Sequence, residues 1–133
     1  MRYLVSFLFF GAMLFCSCKK TESKNVLIPD GTYTGTFQRQ VSGSGQLASV
    51  TINFSSGKWT GQGQFEYYPA LCNGSYSSTV GGGIYFENAC PWLAHFDWTL
   101  ILSQEYKINL SGRNLEITRE YSSGAKDIYL LQR

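Results

Sequence analysis

GTYTGTFQRQ, residues 31–40, alternates Tyr33, Gly35 and Phe37 with Thr32, Thr34, Thr36 and Gln38, so that one side of an extended chain is apolar and the other polar. Side chains of a strand point to opposite faces in turn, and this period marks an antiparallel strand with one face in a core and the other in water. Two further stretches repeat it. LASVTINF (47–54) sets Ala48, Val50, Ile52 and Phe54 against Ser49, Thr51 and Asn53, and KWTGQGQFEYY (58–68) sets Trp59, Gly61, Gly63, Phe65 and Tyr67 against Thr60, Gln62, Gln64 and Glu66. Strands are predicted likewise over 73–80, 84–88, 99–110, 115–121 and 127–132. Turn residues at Ser42–Gly45, Ser55–Gly57, Gly81–Gly83, Ser111–Gly112 and Ser122–Gly124 punctuate the series. The expectation is an all-β domain, a single up-and-down antiparallel meander of about eight strands. Left open, such a meander exposes two unpaired edges; closure into a barrel removes both and is the economical solution, with a two-sheet sandwich as the alternative. Gly35, Gly61 and Gly63 fall on its inward faces, where a coiled strand kinks or makes room for a large neighbour. Cys90–Trp98, with Pro91 and clustered aromatics, fits no strand and is read as a loop or a short helical turn.

Upstream of residue 31 the chain changes character. Met1 and Arg2 precede an apolar run from Tyr3 to Phe15, followed by Cys16, Ser17, Cys18, Lys19 and Lys20. A positive start and an apolar core of this length describe a signal peptide, too short for the roughly 20 residues of a membrane-spanning helix. Phe15 to Cys18 resembles a lipobox, the site at which lipoprotein signal peptidase cleaves before a cysteine carrying a diacylglyceryl group. Small Ser17 before Cys18 suits that cleavage, whereas bulky Phe15 stands before Cys16. The resemblance implies a signal peptide over 1–17 and a lipid on Cys18, an anchor that holds a protein on a membrane without crossing it. It also implies the outer membrane of a Gram-negative envelope, because Lys19 rather than an aspartate follows the cysteine. Residues 18–30 then form the lipidated cysteine and a flexible tether spanning about 2 nm, and 31–133 the barrel domain.

Composition limits the partners. Lys and Arg number 11 against 9 Asp and Glu, and loss of Arg2 with the signal brings the balance near neutrality. A basic stripe for nucleic acid is absent from the sequence. Lys19, Lys20 and Lys24 lie beside the anchor, where they complement anionic headgroups. About a hundred residues suffice for one modest core and not for two.

Cys72 and Cys90 remain once Cys16 is removed and Cys18 is lipidated. Folding the chain about Gly81–Gly83 lays them opposite one another at the open end of one hairpin, so an oxidising compartment would join them in a structural disulfide. With a single histidine in the chain, they lack the paired ligand spacing of a zinc site, and no metal or cofactor is expected.

Catalytic patterns are sparse. His95 and Asp97, two apart, would project to one side of an extended chain as an acid–base pair, yet no nucleophile in a glycine-rich elbow accompanies them. Glu66, Glu87, Asp97 and Glu105 could supply a pair of glycosidase carboxylates only at a separation that sequence does not fix, and alternation puts Glu66 on a wet face. Gly81–Gly83 lies between strands and precedes no helix, which makes it a turn rather than a phosphate cradle. The expectation is a non-enzymatic protein.

The stretch Gly31-Thr32-Tyr33-Thr34-Gly35-Thr36-Phe37 resembles the first strand of lipocalin-like barrels, which often open with a glycine, an aromatic two residues on, and a second glycine. That resemblance, shared with small lipocalin-like lipoproteins, implies a calyx-type binding barrel. Two functions stay open. In one, the barrel carries a small apolar or amphipathic ligand walled by Tyr33, Phe37, Trp59 and Phe65. In the other the barrel is solid, and a protein or glycan partner in the cell envelope meets Trp92 and Trp98 on the long loop.

Overall fold

The computed structural model describes residues 27–133; the signal segment 1–17 and the lipidation site Cys18 lie outside the described residues. Eight strands follow one another around a closed antiparallel barrel. They are β1 (Gly31–Gln40), β2 (Leu47–Ser55), β3 (Lys58–Gly63), β4 (Asn73–Ser78), β5 (Ile84–Asn88), β6 (Gln104–Ser111), β7 (Asn114–Glu120) and β8 (Lys126–Gln132). Each pairs with its neighbour in sequence, and β1 meets β8 with Phe37 opposite Tyr129, so no edge is left unpaired.

The expected alternation holds through β1 and β2. Tyr33, Phe37, Ala48, Val50, Ile52 and Phe54 are buried while the residues between them reach solvent or its margin. Glycine serves the inside in ways that differ by position. Gly35 lies where a Cβ would strike the Leu130 carbonyl oxygen, and Gly61 leaves room for Leu71. Gly74, a residue the alternation does not single out, accommodates the largest core side chain: a Cβ there would stand 2.9 Å from the Trp59 indole nitrogen, which donates to the Glu87 carbonyl oxygen at 3.1 Å.

The two ends of the barrel are unlike. Turns 55–58, 78–84 and 111–114 close the near end, where the chain enters through Ile28. Ile28 is buried, and its carbonyl oxygen and that of Pro29 accept hydrogen bonds from the Tyr76 and Tyr33 hydroxyls. Longer connections occupy the far end: 41–46, 64–72, 89–103 and 121–125. Two of these pair with each other, Ala70 bridging Ile101 through bonds from Ala70 N to Leu100 O and from Leu102 N to Ala70 O. Tyr68 lies over Phe37, its ring edge-on at 5.1 Å, donates to Gln46 O and accepts from Arg39 N.

Between the ends the interior is aromatic. Ring contacts run from Tyr33 to Phe54, on through Tyr76 and Phe86 to Trp59 and Tyr106, and then through Tyr129 and Phe37 to Tyr68, at centroid separations of 4.7 to 6.4 Å. Most of these meet edge to face or tilted, the geometry in which ring quadrupoles attract, worth ~0.5–1.5 kcal/mol per pair beyond burial.

Two elements differ from expectation. The strand predicted over 58–68 ends at Gly63, because Gln64 N turns to donate to Ser49 O and residues 65–68 fold back on themselves with Phe65 bridging Tyr68. The strand predicted over 99–110 begins only at Gln104. Before it, Trp98–Leu100 forms a 3-10 turn capped by the Asp97 carboxylate, which accepts from Thr99 N.

Candidate functional site

The far end holds the one buried charge among the described residues. Asp127, 1% exposed, opens β8, and Arg39 lies opposite it near the end of β1. Arg39 donates to both carboxylate oxygens, Nε to Oδ1 at 2.6 Å and Nη2 to Oδ2 at 2.7 Å, a bidentate pairing that fixes direction as well as distance. The same guanidinium reaches outward, donating from Nη1 to Asp97 Oδ2 at 2.8 Å and to Thr99 Oγ1 at 2.7 Å, and from Nη2 to Thr99 O at 3.1 Å. Tyr121 completes the group by donating to Asp127 Oδ2 at 2.7 Å, with the Arg39 and Arg119 guanidiniums at 4.9 and 4.8 Å from its ring.

Electrostatics follow from these contacts. Burial works against the Arg39 charge, but the bond and charge of Asp127 outweigh it and hold the guanidinium cationic beyond its usual range. Hydrogen bonds from Thr99, with the Arg39 charge, overcome partial burial and keep the Asp97 carboxyl below its ordinary value. Burial, together with the bond to Asp127, pushes the Tyr121 hydroxyl up to about 12. Such a cluster is fully paired. It acts as a clamp that ties the 97–99 segment to β1 and β8.

Around this clamp the 89–103 connection is stapled at its start, where Cys72 and Cys90 form the expected disulfide across the β4–β5 hairpin with Cα atoms 6.3 Å apart. On this support sits an aromatic ledge. Tyr67 stacks on Phe96 at 4.6 Å, and Trp92 meets Phe96 at 5.7 Å and Tyr67 at 6.3 Å. Trp98 stands 56% exposed, its indole nitrogen donating to Leu93 O at 3.1 Å. Beside the ledge, where β5 parts from β6 after the pairing of Phe86 with Gln104, an open groove of ≈ 520 Å³ runs between β5 and the loop.

The residues singled out in the sequence scatter. Tyr33, Phe37 and Trp59 do face the interior, but packed ring on ring with 1% exposure or less. Phe65 is not a wall residue: the turn that ends β3 carries it outside, 37% exposed. Trp92 is half-buried in the ledge rather than free on the loop, whereas Trp98 is as exposed as the sequence suggested. His95 is exposed and does not pair with Asp97, whose oxygens are taken by Thr99 and Arg39. The candidate carboxylates occupy separate elements: Glu66 in the β3–β4 connection, Glu87 on β5, where it accepts from Ser75 at 3.0 Å, Asp97 in the clamp and Glu105 on β6. Gly81–Gly83 forms the β4–β5 turn.

Sequence reading missed the clamp, although its signal was present. Period two in β1, continued past Phe37, puts Arg39 on the inward face, and the same period in β8 puts Asp127 there with Tyr129 and Leu131. Opposite charges at inward positions of two strands destined to pair are unexpected in an apolar interior unless they face each other.

No family model, no curated protein and no solved structure matches the chain.

Proposed function

We propose that the protein is a lipid-anchored interaction protein of the cell envelope, without enzymatic activity, whose solid barrel presents the 89–103 loop to a partner. The observation that carries this is the unbroken run of rings from Tyr33 to Tyr68. Side chains that would wall a ligand are spent on one another, and an eight-stranded barrel is just wide enough to be filled this way.

Orientation supports the same reading. A tether from Cys18 enters at the near end, so the ledge, Trp98 and the disulfide stand at the opposite end, roughly 18 Å farther from the bilayer for strands of about seven residues at ordinary tilt. The loop is held by the disulfide, the Ala70 bridge and the Arg39 clamp. A surface fixed in advance loses little freedom when a partner binds.

The test uses the full-length lipoprotein in detergent. Native mass spectrometry should give the mass of the lipidated chain alone, and cross-linking in intact envelopes should give a partner adduct that Trp98→Ala removes. Trp98 is the residue to change, because Trp92 also packs against Tyr67 and Phe96 and its loss would perturb the loop. A small apolar molecule that co-purifies, and is lost in Trp59→Ala, would refute the solid barrel. Adducts indifferent to Trp98 would refute the loop as the contact.

A further inference from the structure

We propose that the groove between β5 and the 89–103 loop binds a saccharide, specifically a neutral glycan chain laid against Trp98. This rests on the proposed role of the loop as the partner-binding element and names the chemistry of that partner.

The groove has a volume of ≈ 520 Å³, within the ~300–1,000 Å³ of small-molecule sites. Tyr85, 42% exposed, and Trp98 both line it, with Glu87, Asn88 and Gln104 among the other lining residues. Flat rings and hydrogen-bonding groups are thus interleaved. A wholly apolar ligand would cover the Glu87 carboxylate and leave it the Ser75 hydroxyl in place of water, at a cost of ~1–3 kcal/mol. An anionic ligand would meet the Glu87 carboxylate with no cation in the lining. A pyranose suits both features, because its C–H face covers an aromatic ring while hydroxyls around its rim both donate and accept.

Two atoms at this place point the same way. Asn88 Oδ1 and Trp92 Nε1 are shut from solvent and have no hydrogen-bond partner, and both belong to residues that line the groove. Asn88 already uses its amide nitrogen on Cys90 O at 2.7 Å, so what remains there is an acceptor, while Trp92 offers a donor. An orphan acceptor and an orphan donor beside one groove are the complement of a hydroxyl, which both donates and accepts. Gln104, with a φ of 71°, occupies a left-handed conformation that side-chain-bearing residues rarely adopt, and such positions gather at binding sites. Its amide oxygen accepts from Arg119 Nη2, which fixes the side chain at the groove margin. Trp98 is pre-set by its own bond to Leu93 O, so stacking on it costs little side-chain freedom.

The experiment is a fluorescence and calorimetric titration of the full-length lipoprotein, held in a zwitterionic detergent without a sugar headgroup. The probes are hexasaccharides of β-1,4-glucose, β-1,4-N-acetylglucosamine, α-1,4-glucose and α-1,6-mannose, followed by a neutral glycan array. At least one neutral glycan should perturb tryptophan emission and bind more tightly than about 1 mM. Trp98→Ala and Tyr85→Ala should each weaken it about tenfold or more while the thermal midpoint stays close to that of the parent, and Trp98→Phe should restore most of the loss. Binding that survives both alanine variants would place the sugar elsewhere and overturn the proposal. No glycan bound, with a protein adduct that still depends on Trp98, would overturn the proposal and leave the interaction role standing. If neither glycan nor protein capture depends on the loop, both fall.

Discussion

Replacing Arg39 with Met removes the cation from a pair whose acid cannot escape to water. Asp127 is 1% exposed, and its two oxygens accept from Arg39 at 2.6 and 2.7 Å, leaving only the Tyr121 hydroxyl once the guanidinium is gone. An uncompensated buried charge of this kind costs about 3–5 kcal/mol, where the intact pair itself sits near break-even against an apolar replacement. Arg39→Met should therefore lower stability by about 3–5 kcal/mol, equivalent to roughly 15–30 °C in thermal midpoint for a domain of this size. The double variant Arg39→Met/Asp127→Leu, which removes both charges, should recover most of that loss. Denaturant unfolding followed by tryptophan fluorescence gives both numbers, and the pair forms half of a double-mutant cycle completed by Asp127→Leu. Hydrogen exchange provides a second readout: Thr99, whose carbonyl oxygen and hydroxyl bind Arg39, should lose protection along with Leu100 in the single variant. A single-variant loss below about 1 kcal/mol, or a double-variant loss equal to the sum of the two singles, would refute the account of a buried pair that is costly only when broken.

Two other perturbations test separate parts of the molecule. Cys72→Ala/Cys90→Ala opens a loop of 18-residue separation and should cost about 3 kcal/mol, with the largest gain in hydrogen exchange at 89–93 and little change in β1 and β8; uniform loosening would count against a local staple. Raising the pH should unfold the barrel through its tyrosines. Burial lifts the hydroxyls of Tyr106 and Tyr129 above the ordinary value and pushes Tyr121 up to about 12, so all three stay protonated in the barrel while an unfolded chain ionises near pH 10. Stability is therefore complete below pH 10 and falls above it, by ~1.4 kcal/mol per pH unit for each of the buried Tyr106 and Tyr129, with a smaller, solvent-screened share from Tyr121 that is exhausted near 12. The phenolate absorbance of Tyr106, Tyr121 and Tyr129 should appear together with loss of circular dichroism, and their titration completed before unfolding would contradict the burial described.

Most of the barrel was legible because alternation and closure are local and generic. Tyr33, Phe37 and Val50 announce their face by spacing alone, and Cys72 and Cys90 announce their pairing once the Gly81–Gly83 turn fixes the hairpin register, which places Gly74 opposite Asn88. Where the chain leaves the sheet, the same signal misleads. Phe65 and Tyr67 continue the period of β3, but nothing in alternation reports that Gln64 bonds back to Ser49 and ends the strand. The 99–103 segment likewise carries apolar residues suited to a strand, while Asp97 and Arg39, the latter 60 residues away from Thr99, hold it in a 3-10 turn. Whether a barrel is filled depends on which rings meet across it. Contacts such as Phe86 with Tyr106 or Phe37 with Tyr129 are set by three-dimensional registers between strands that sequence spacing does not contain.

The far end also bears on how a barrel of this type can be used. A calyx that loads from one mouth needs a lid drawn from its least stable elements, with few buried contacts and hydrogen bonds that water can replace. Here the 89–103 connection is joined to β4 by a covalent bond, to the 64–72 connection by backbone pairing at Ala70, and to β1 and β8 by a guanidinium whose other face neutralises the buried Asp127. Swinging the loop aside would leave the disulfide as a pivot but strip Arg39 of Asp97 and Thr99, and lifting Tyr68 would free both Gln46 O and Arg39 N. Each of these ties adds to the free energy of opening, and none would be relieved by an apolar guest entering an interior already occupied by Phe37 and Tyr129. Such bracing is suited instead to a surface that must not move. Trp98 projects from the braced segment at the end opposite Ile28, where rigidity would lower the entropic cost of binding the proposed partner and the closed sheet offers no competing strand edge.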